Sequence, residues 1–413
     1  MNLEQSSAKF VYLNPSPESM NVLLLTNVIP APILPTKKRE NDVLLKTARL
    51  HEEMHNDVKY TFVYVLYTSF FSRWMSKYKD HKDFLDLKTF KADNRVVEII
   101  PVPRFKWNAQ LWSVYMRFAY LINRKKLHRI VKENNIDLIH AHNIMADAGV
   151  AFHLSRHFKI PYIVTSRQMG KGKLDKHIIK FMNRAKALIS LSHQEKKACD
   201  PFNKHSYVIG HGVDKSFLEQ QKEYTTSGPL KIVTMARLLD WKNIDKVIYA
   251  LDRIKEGFTY DIYGDGPEYD HLQAVVAQSS IADKVQFKGF IAYDQVPQTL
   301  AQYDLFVMPS YKEWFGRVYI EAMACGLPII GSRRTGMDGY ITEGEQGFLV
   351  DHTNLDDLQQ NIQKFVDDKE LKVVMGKKAK AFAQHYSWDA AIGKIDRLYR
   401  DITAGRVYQQ NAD

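Results

Sequence analysis

A chain of 413 residues is longer than one hydrophobic core usually serves, so two domains of about 200 residues each with a cleft between them are expected. Its 45% apolar and 25% charged content excludes a disordered or low-complexity protein, and its apolar runs fall short of the roughly 20 residues that cross a bilayer. The net charge of +11 is unevenly spread: 34 Lys and Arg face 19 Asp and Glu through Asp214 (+15), and 24 face 28 after it (−4).

The polar segment before Met20 lacks the charged start and apolar stretch of a signal peptide; a disordered tail over 1–20 and a cytoplasmic protein are expected. Met20 reads as a natural opening for the first strand, Val22 to Thr26. Strand-like runs then alternate with helical ones: Tyr60 to Tyr67, a helix over Gln110 to Lys132, Leu138 to Ala141, a helix over Ala146 to His157, and Tyr162 to Thr165. The N-terminal domain is placed at 21–214. Residues 215–229 are polar without apolar period and are expected to be a linker. The pattern resumes with Lys231 to Ala236, a helix from Lys242, Thr259 to Gly264, a helix near Tyr269 to Gln278, Val285 to Gly289, a helix near Gln298, and Leu305 to Met308. An α/β fold of two doubly wound, Rossmann-like domains facing a central cleft follows, with the second domain over 230–386. Within 387–413, Ile392, Ile395, Leu398 and Ile402 fall at helical spacing, predicting a terminal helix that packs back on the N-terminal domain.

Cys199 and Cys325 are far apart and have no ligand-like spacing, which argues against a disulfide framework or a zinc site and for two buried small side chains. The chemistry concentrates after Phe306. A strand ends at Pro309 and Ser310, a loop carries Glu313, Trp314, Phe315 and Gly316, and a helix carries Arg317, Val318 and Glu321 before Gly326 and Pro328. In an open parallel sheet, ligands sit beyond the carboxyl ends of the strands, and a helix N-terminus offers free N–H groups to a phosphate. Gly316 permits close approach, and two carboxylates at different depths can hold two hydroxyl-bearing parts of one elongated ligand, a sugar and a ribose. Arg237 and Lys242 follow the first strand of this domain, where two cations suit a diphosphate whose charge grows as it leaves. Gly264, Asp265, Gly266 and Pro267 form a tight turn after the next strand. The turn at Gly344 and Gly347, leading into Phe348 to Val350, is expected to serve folding.

The run from Pro309 through Glu313 and Glu321, with seven residues between the glutamates, and on to Ala322, Met323, Ala324, Cys325, Gly326, Leu327 and Pro328 resembles the E-x7-E signature of family-4 retaining GT-B glycosyltransferases. The resemblance runs from Val22 to the C-terminus, strongest after Pro229. It implies that Glu313 contacts the donor sugar and Glu321 the ribose, that the Arg237 and Lys242 pair binds the donor diphosphate, and that Gly264 and Gly266 lie in a donor-side loop. It also implies that Phe287 to Phe290 holds the nucleobase through backbone groups and that Phe315, Gly316, Arg317 and Val318 border the donor. His142 resembles a histidine often found at the cleft. No cofactor and no essential metal are implied, and the partners are a nucleotide-sugar donor and a saccharide or lipid-linked acceptor.

The first half departs from the pattern. The usual glycine pair after the first strand is replaced by proline-rich Asn27 to Pro35 and then Lys37, Lys38 and Arg39. Arg167 stands where the family often has His, His211 where Asn commonly precedes Gly212, Val213 and Asp214, and Gly336, Met337, Asp338 and Gly339 replace a Gly-x-Pro-Glu turn. Two basic stretches carry aromatics: Phe70, Phe71, Arg73, Trp74, Lys77, Tyr78 and Lys79, and then Arg104, Lys106, Trp107, Trp112, Arg117, Arg124, Lys125, Lys126 and Arg129. Both suit an anionic membrane surface; the alternative is amphipathic helices packed on their own sheet. Nucleic-acid binding lacks any accompanying motif. Two other readings stay open: an epimerase of the same fold, and a non-catalytic homologue that binds a partner enzyme.

Overall fold

The structure is a computed structural model and describes residues 19–27, 43–68, 87–103, 112–166 and 176–410. The N-terminal layer runs β1 (Met20–Thr26), α1 (Val43–Met54), β2 (Val58–Thr68), β3 (Thr89–Ala92), β4 (Arg95–Pro103), α2 (Trp112–Glu133), β5 (Leu138–Ala141), α3 (Ala146–Phe158), β6 (Tyr162–Ser166), α4 (Lys176–Arg184), β7 (Ala187–Ser190), α5 (His193–Cys199) and β8 (Ser206–Val208). Its strands lie in the order β3-β4-β2-β1-β5-β6-β7-β8, parallel except for the β3–β4 hairpin. That hairpin turns at Asp93 and Asn94, both at positive φ, as a tight two-residue turn requires.

Strand β1 shows why helices cover both faces. Side chains alternate along a strand, so Leu23 and Leu25 enter a core with Met116 and Leu127 of α2 and Val150 of α3, while Val22 and Leu24 face the opposite side.

After a helical turn α6 (Lys215–Leu218), the C-terminal layer runs β9 (Leu230–Met235), α7 (Ile244–Ile254), β10 (Phe258–Tyr263), α8 (Tyr269–Ala277), β11 (Val285–Gly289), α9 (Val296–Leu300), β12 (Leu305–Val307), α10 (Arg317–Ala324), β13 (Ile329–Ser332), β14 (Gly347–Val350), α11 (Leu355–Asp367), α12 (Lys369–Ala383) and α13 (Trp388–Thr403). Its six strands are all parallel, in the order β11-β10-β9-β12-β13-β14.

The polar segment 215–229, expected to be a linker, packs along this second layer. Phe217 and Leu218 are buried in its core, Lys222 donates to the carbonyls of Ala301 and Tyr303, and the Tyr224 hydroxyl donates to Gly326 O at 3.2 Å. Local polarity hides this, because the contacts are made one residue at a time to distant carbonyls.

Helix α13 leaves the second layer at Ser387, whose side chain accepts from Ala390 N at 3.1 Å, and lies on the N-terminal sheet. There Leu398, Tyr399 and Ile402 bury with Val22, Val58, Leu138 and Ile163. The two interdomain crossings touch: Val213 N donates to Tyr386 O at 2.8 Å, and a Cβ on Gly212 would lie 2.4 Å from Trp388 Cα.

A polar network also holds α13 in place. Arg400 makes two hydrogen bonds to Asp57, at 2.9 and 3.1 Å, and its Nε bonds Asp396, which lies 3.1 Å from His51 Nε2 of α1. Burial would raise the Asp396 carboxyl, but hydrogen bonds from His51 and Arg400 overcome it and hold it at about 2. A depressed carboxyl contributes stability that is complete above its unfolded value near pH 4 and is lost as pH falls through the folded one. The stability gap between the protein and Arg400→Ala should therefore be largest at about pH 6, of the order of 2 kcal/mol, and shrink toward about pH 2. Denaturant melts across that range test it; a gap independent of pH would rule the network out as the source.

Candidate active site

Strands β9 and β12 are neighbours in register, Leu305 opposite Ile232 and Phe306 opposite Val233, so the loops that follow them leave the sheet side by side. After β9, the chain makes a 3-10 turn over Asp240–Lys242 and then Asn243 takes positive φ before α7. The helix expected from Lys242 thus starts at Ile244, with Lys242 freed onto the loop. Asn243 Nδ2 donates to Pro309 O at 2.8 Å, and Tyr311 N to Trp241 O at 3.0 Å, which locks the two loops together. Lys242 Nζ then meets Glu313 Oε2 at 2.6 Å, with the two side chains 13% and 16% exposed. Sequence reading did not single out Asn243; an Asn just before a helical run was the available signal.

Arg237 lies exposed on the same loop and, among the described residues, has no ion pair. The Gly264 to Gly266 turn fixes its course. Ala236 N donates to Tyr263 O and Leu238 N to Asp265 O, and a Cβ would fall 1.8 Å from Ala236 O at Gly264 and 2.1 Å from Leu238 O at Gly266. These glycines back the cationic loop. Gly264 N also donates to Gly289 O at 2.8 Å, tying in the end of β11, beside which Phe290 stands 79% exposed.

Gly316, at φ +71, caps α10. Within that helix Glu321 is 4% exposed. Its Oε1 pairs with Arg317 Nε at 2.9 Å and accepts from the Tyr293 hydroxyl at 2.8 Å, and Arg317 also lies over the Tyr293 ring. Burial raises the Glu321 carboxyl above its usual range, opposed by Arg317 and Tyr293. Val318 is partly buried against the same core. Phe315, expected to border the donor, is a core side chain packed on Tyr340, and a Cβ on Gly210 would strike its ring; only its backbone is left to face a ligand. Gly336 packs on the same loop, where a Cβ would lie 2.6 Å from Trp314 C. Gly347, at φ +153, has Ile329 O where its Cβ would be, so that turn closes β14 onto β13.

His142 lies on the N-terminal side. It shares a mainly apolar cavity with His140, Thr165, His211, Trp388 and Tyr399, and its ring lies against that of His140, tilted by 37° with centroids 4.1 Å apart. No hydrogen bond or ion pair joins it to the Lys242–Glu313 pair among the described residues. His140 bonds Tyr399 and Thr165 through its two ring nitrogens. Arg167, Lys37, Lys38, Arg39, the stretch from Phe70 to Lys79, and Arg104 to Trp107 lie outside the described residues.

One group that the sequence reading did not register could hold a metal ion: His51, His55 and Asp396 bring three ligand atoms within 4.8 Å of one another. The histidines at 51 and 55, four apart across the C-terminal end of α1, are the signal. Both Asp396 oxygens, however, already bond Arg400, which supplies the positive charge there. Cys199 and Cys325 are both buried thiols, and burial pushes Cys325 up to about 12.

Two family models cover most of the chain end to end. Glycosyltransferase Family 4 matches residues 85–217, and Glycosyl transferases group 1 matches residues 216–382, which contain all the donor-side loops described above. The chain is a family-4 glycosyltransferase. An uncharacterized glycosyltransferase of Methanocaldococcus jannaschii is 26% identical over 69% of this glycosyltransferase and 81% of its own length. N-acetyl-alpha-D-glucosaminyl L-malate synthase of Bacillus anthracis is 25% identical over 70% and 82%. In fold, the glycosyltransferase is similar to sucrose-phosphate synthase from Thermosynechococcus elongatus (TM-score 0.69, 18% identity, 94% and 100% of the two chains). It is also similar to Anabaena HepE in complex with UDP-glucose (0.62, 19%, 91% and 98%). Its two facing parallel-sheet domains are those of the GT-B fold.

Proposed function

We propose that this glycosyltransferase takes a nucleoside-diphosphate sugar, a UDP-sugar by preference, and transfers the sugar with retention at the anomeric carbon to a saccharide acceptor carried on lipid, in surface polysaccharide or glycolipid synthesis. The observation that carries this reading is the partly buried Lys242–Glu313 pair beside the exposed Arg237. In the donor complex, Arg237 and Lys242 face the diphosphate and Glu313 accepts from sugar hydroxyls. Charge builds on the leaving phosphate oxygen as the bond to the anomeric carbon breaks, and fixed cations stabilise it. The acceptor hydroxyl bonds to that carbon on the same face and passes its proton to the leaving diphosphate, so no enzyme nucleophile is required. The UDP-glucose bound to HepE supports the choice of base.

The test is release of nucleoside diphosphate from UDP-, GDP- and ADP-sugars, with and without vesicles carrying lipid-linked saccharide. Consumption of one donor only with acceptor, with the anomeric configuration of the product matching the donor, is expected. Conversion of a sugar nucleotide without acceptor would replace the reading with an epimerase.

Attachment to a membrane surface is part of the proposal. Helix α2 exposes Phe118, Leu121 and Ile122 beside exposed Arg117, Arg124 and Lys125, a pairing of apolar side chains and cations that suits an anionic interface. No helix of the described residues is long and apolar enough to cross a membrane. Burying such a side chain contributes about 1.5–3 kcal/mol, so Leu121→Ser with Ile122→Ser should weaken co-sedimentation with anionic vesicles at least tenfold, about 1.4 kcal/mol or more. Equal binding by the variant, or equal binding to neutral vesicles, would remove this part of the reading.

A further inference from the structure

We infer that Tyr293, Asp214 and Lys46 form a positioning relay through which the nucleotide site controls the stance of the opposite domain. The inference rests on the reading above in one respect, that Glu321 receives the ribose hydroxyls.

Tyr293 sits in a short turn between β11 and α9, and its hydroxyl lies between two carboxylates, 2.8 Å from Glu321 Oε1 and 3.1 Å from Asp214 Oδ2. A phenol has one proton and can donate it to only one of them at a time. Burial, with Glu321 next, pushes the Tyr293 phenol far up, so the proton stays on the hydroxyl and its direction is what changes. Asp214 in turn is the ion-pair partner of Lys46 on α1, across the cleft in the N-terminal domain. Lys46 also lies over the indole of Trp388, 5.3 Å from the ring centroid. Asp214 directly follows the first interdomain crossing at Gly212 and Val213, and Trp388 directly follows the second at Tyr386 and Ser387. The relay therefore ends at both places where the domains are joined.

The physical consequence is a competition. In the structure Arg317 and Tyr293 both serve Glu321 Oε1. A ribose hydroxyl that donates to Glu321 satisfies the carboxylate and lets the phenol turn its proton to Asp214. A carboxylate that accepts that bond holds Lys46 less strongly, because the hydrogen bond already stabilises part of its charge. Nucleotide binding thus loosens α1 from the joint, and by reciprocal linkage the Lys46–Asp214 pair opposes nucleotide binding. Lys46 touches neither Lys242 nor Glu313, so it acts through Asp214 and is a positioning residue.

The experiment is a double-mutant cycle on the affinity of the full chain for UDP, with GDP and ADP as parallel arms, by calorimetry. Lys46→Met should raise UDP affinity about fivefold or more when Tyr293 is present and by less than about twofold in Tyr293→Phe, since the link is already cut, and weaker binding by Lys46→Met would overturn the relay. Lys46→Gln is run alongside, so that a folding defect in one variant leaves the other to decide, and Lys46→Arg should restore the native affinity. UDP should also alter hydrogen exchange in residues 43–54 of the native protein and not of Tyr293→Phe, a response that a merely structural lysine would not lose. Additive effects in the cycle overturn the relay. Glu321→Gln separates the two readings: if it weakens UDP binding while the cycle is additive, the ribose reading stands and the relay falls. If it leaves UDP binding unchanged, or no nucleoside diphosphate binds, both fall.

Discussion

Lys242→Ala is expected to lower kcat/KM for the sugar-nucleotide donor about a thousandfold, the upper end of what one preorganised charge contributes to a transition state. Two losses act together. The cation facing the leaving diphosphate disappears, so the negative charge that grows as the glycosidic bond breaks has Arg237 alone on this loop. Glu313, 16% exposed and paired with Lys242 at 2.6 Å, is left without its ion-pair partner beside the anionic donor. The effect should fall on kcat as well as KM, because leaving-group charge is larger in the transition state than in the bound donor. Lys242→Arg should recover only part of the rate, since the planar fork does not reproduce a point charge at the same depth. Steady-state release of nucleoside diphosphate measures this; a loss under about tenfold would remove Lys242 from the chemistry.

Gly264→Ala should be nearly as damaging by a different route. At φ +127 a side chain is strained in any surroundings, at a cost of about 1–3 kcal/mol, and the new Cβ would fall 1.8 Å from the Ala236 carbonyl oxygen. That oxygen belongs to the backbone of the loop that carries Arg237, so nothing flexible can give way. The loop must move, and Arg237 with it. We expect a fall in Tm of several degrees and a loss of activity of about a hundredfold that donor saturation does not restore, since a misplacement near 1 Å at a positioning group costs that much. Gly344→Ala is the comparison: it also has positive φ, but its Cβ would meet nothing within 4 Å. That variant should lose a little stability and keep its rate. Equal activity losses in both would show that strain, and not displacement of the Arg237 loop, is responsible.

The strand and helix alternation was readable because burial on two faces imposes a local apolar pattern; β5 and β11 fall on the runs read from the sequence. The hairpin of β3 and β4 carries only a short local signal, Asp93 and Asn94, residues that tolerate the positive φ its turn demands. The contacts of the 215–229 segment are hidden for a related reason. Its polar residues reach carbonyls of Ala301, Tyr303 and Gly326 that no local pattern connects to it.

The amino-acid sequence by itself determined the fold class and the candidate donor residues, because hydrophobic period, turn glycines and the spacing of Glu313 and Glu321 are properties of short stretches of chain. Tertiary structure decided which of these residues meet. Lys242 and Glu313, separated by 71 positions, form a pair because β9 and β12 are neighbours in the sheet, and strand order is not written in any one strand. Likewise Glu321 meets Tyr293 only through the packing of the second domain, and Tyr293 reaches Asp214 and Lys46 only where the two domains are joined. Local physics sets what a segment is; its charged groups find their partners only through the global packing that brings distant segments within hydrogen-bond reach.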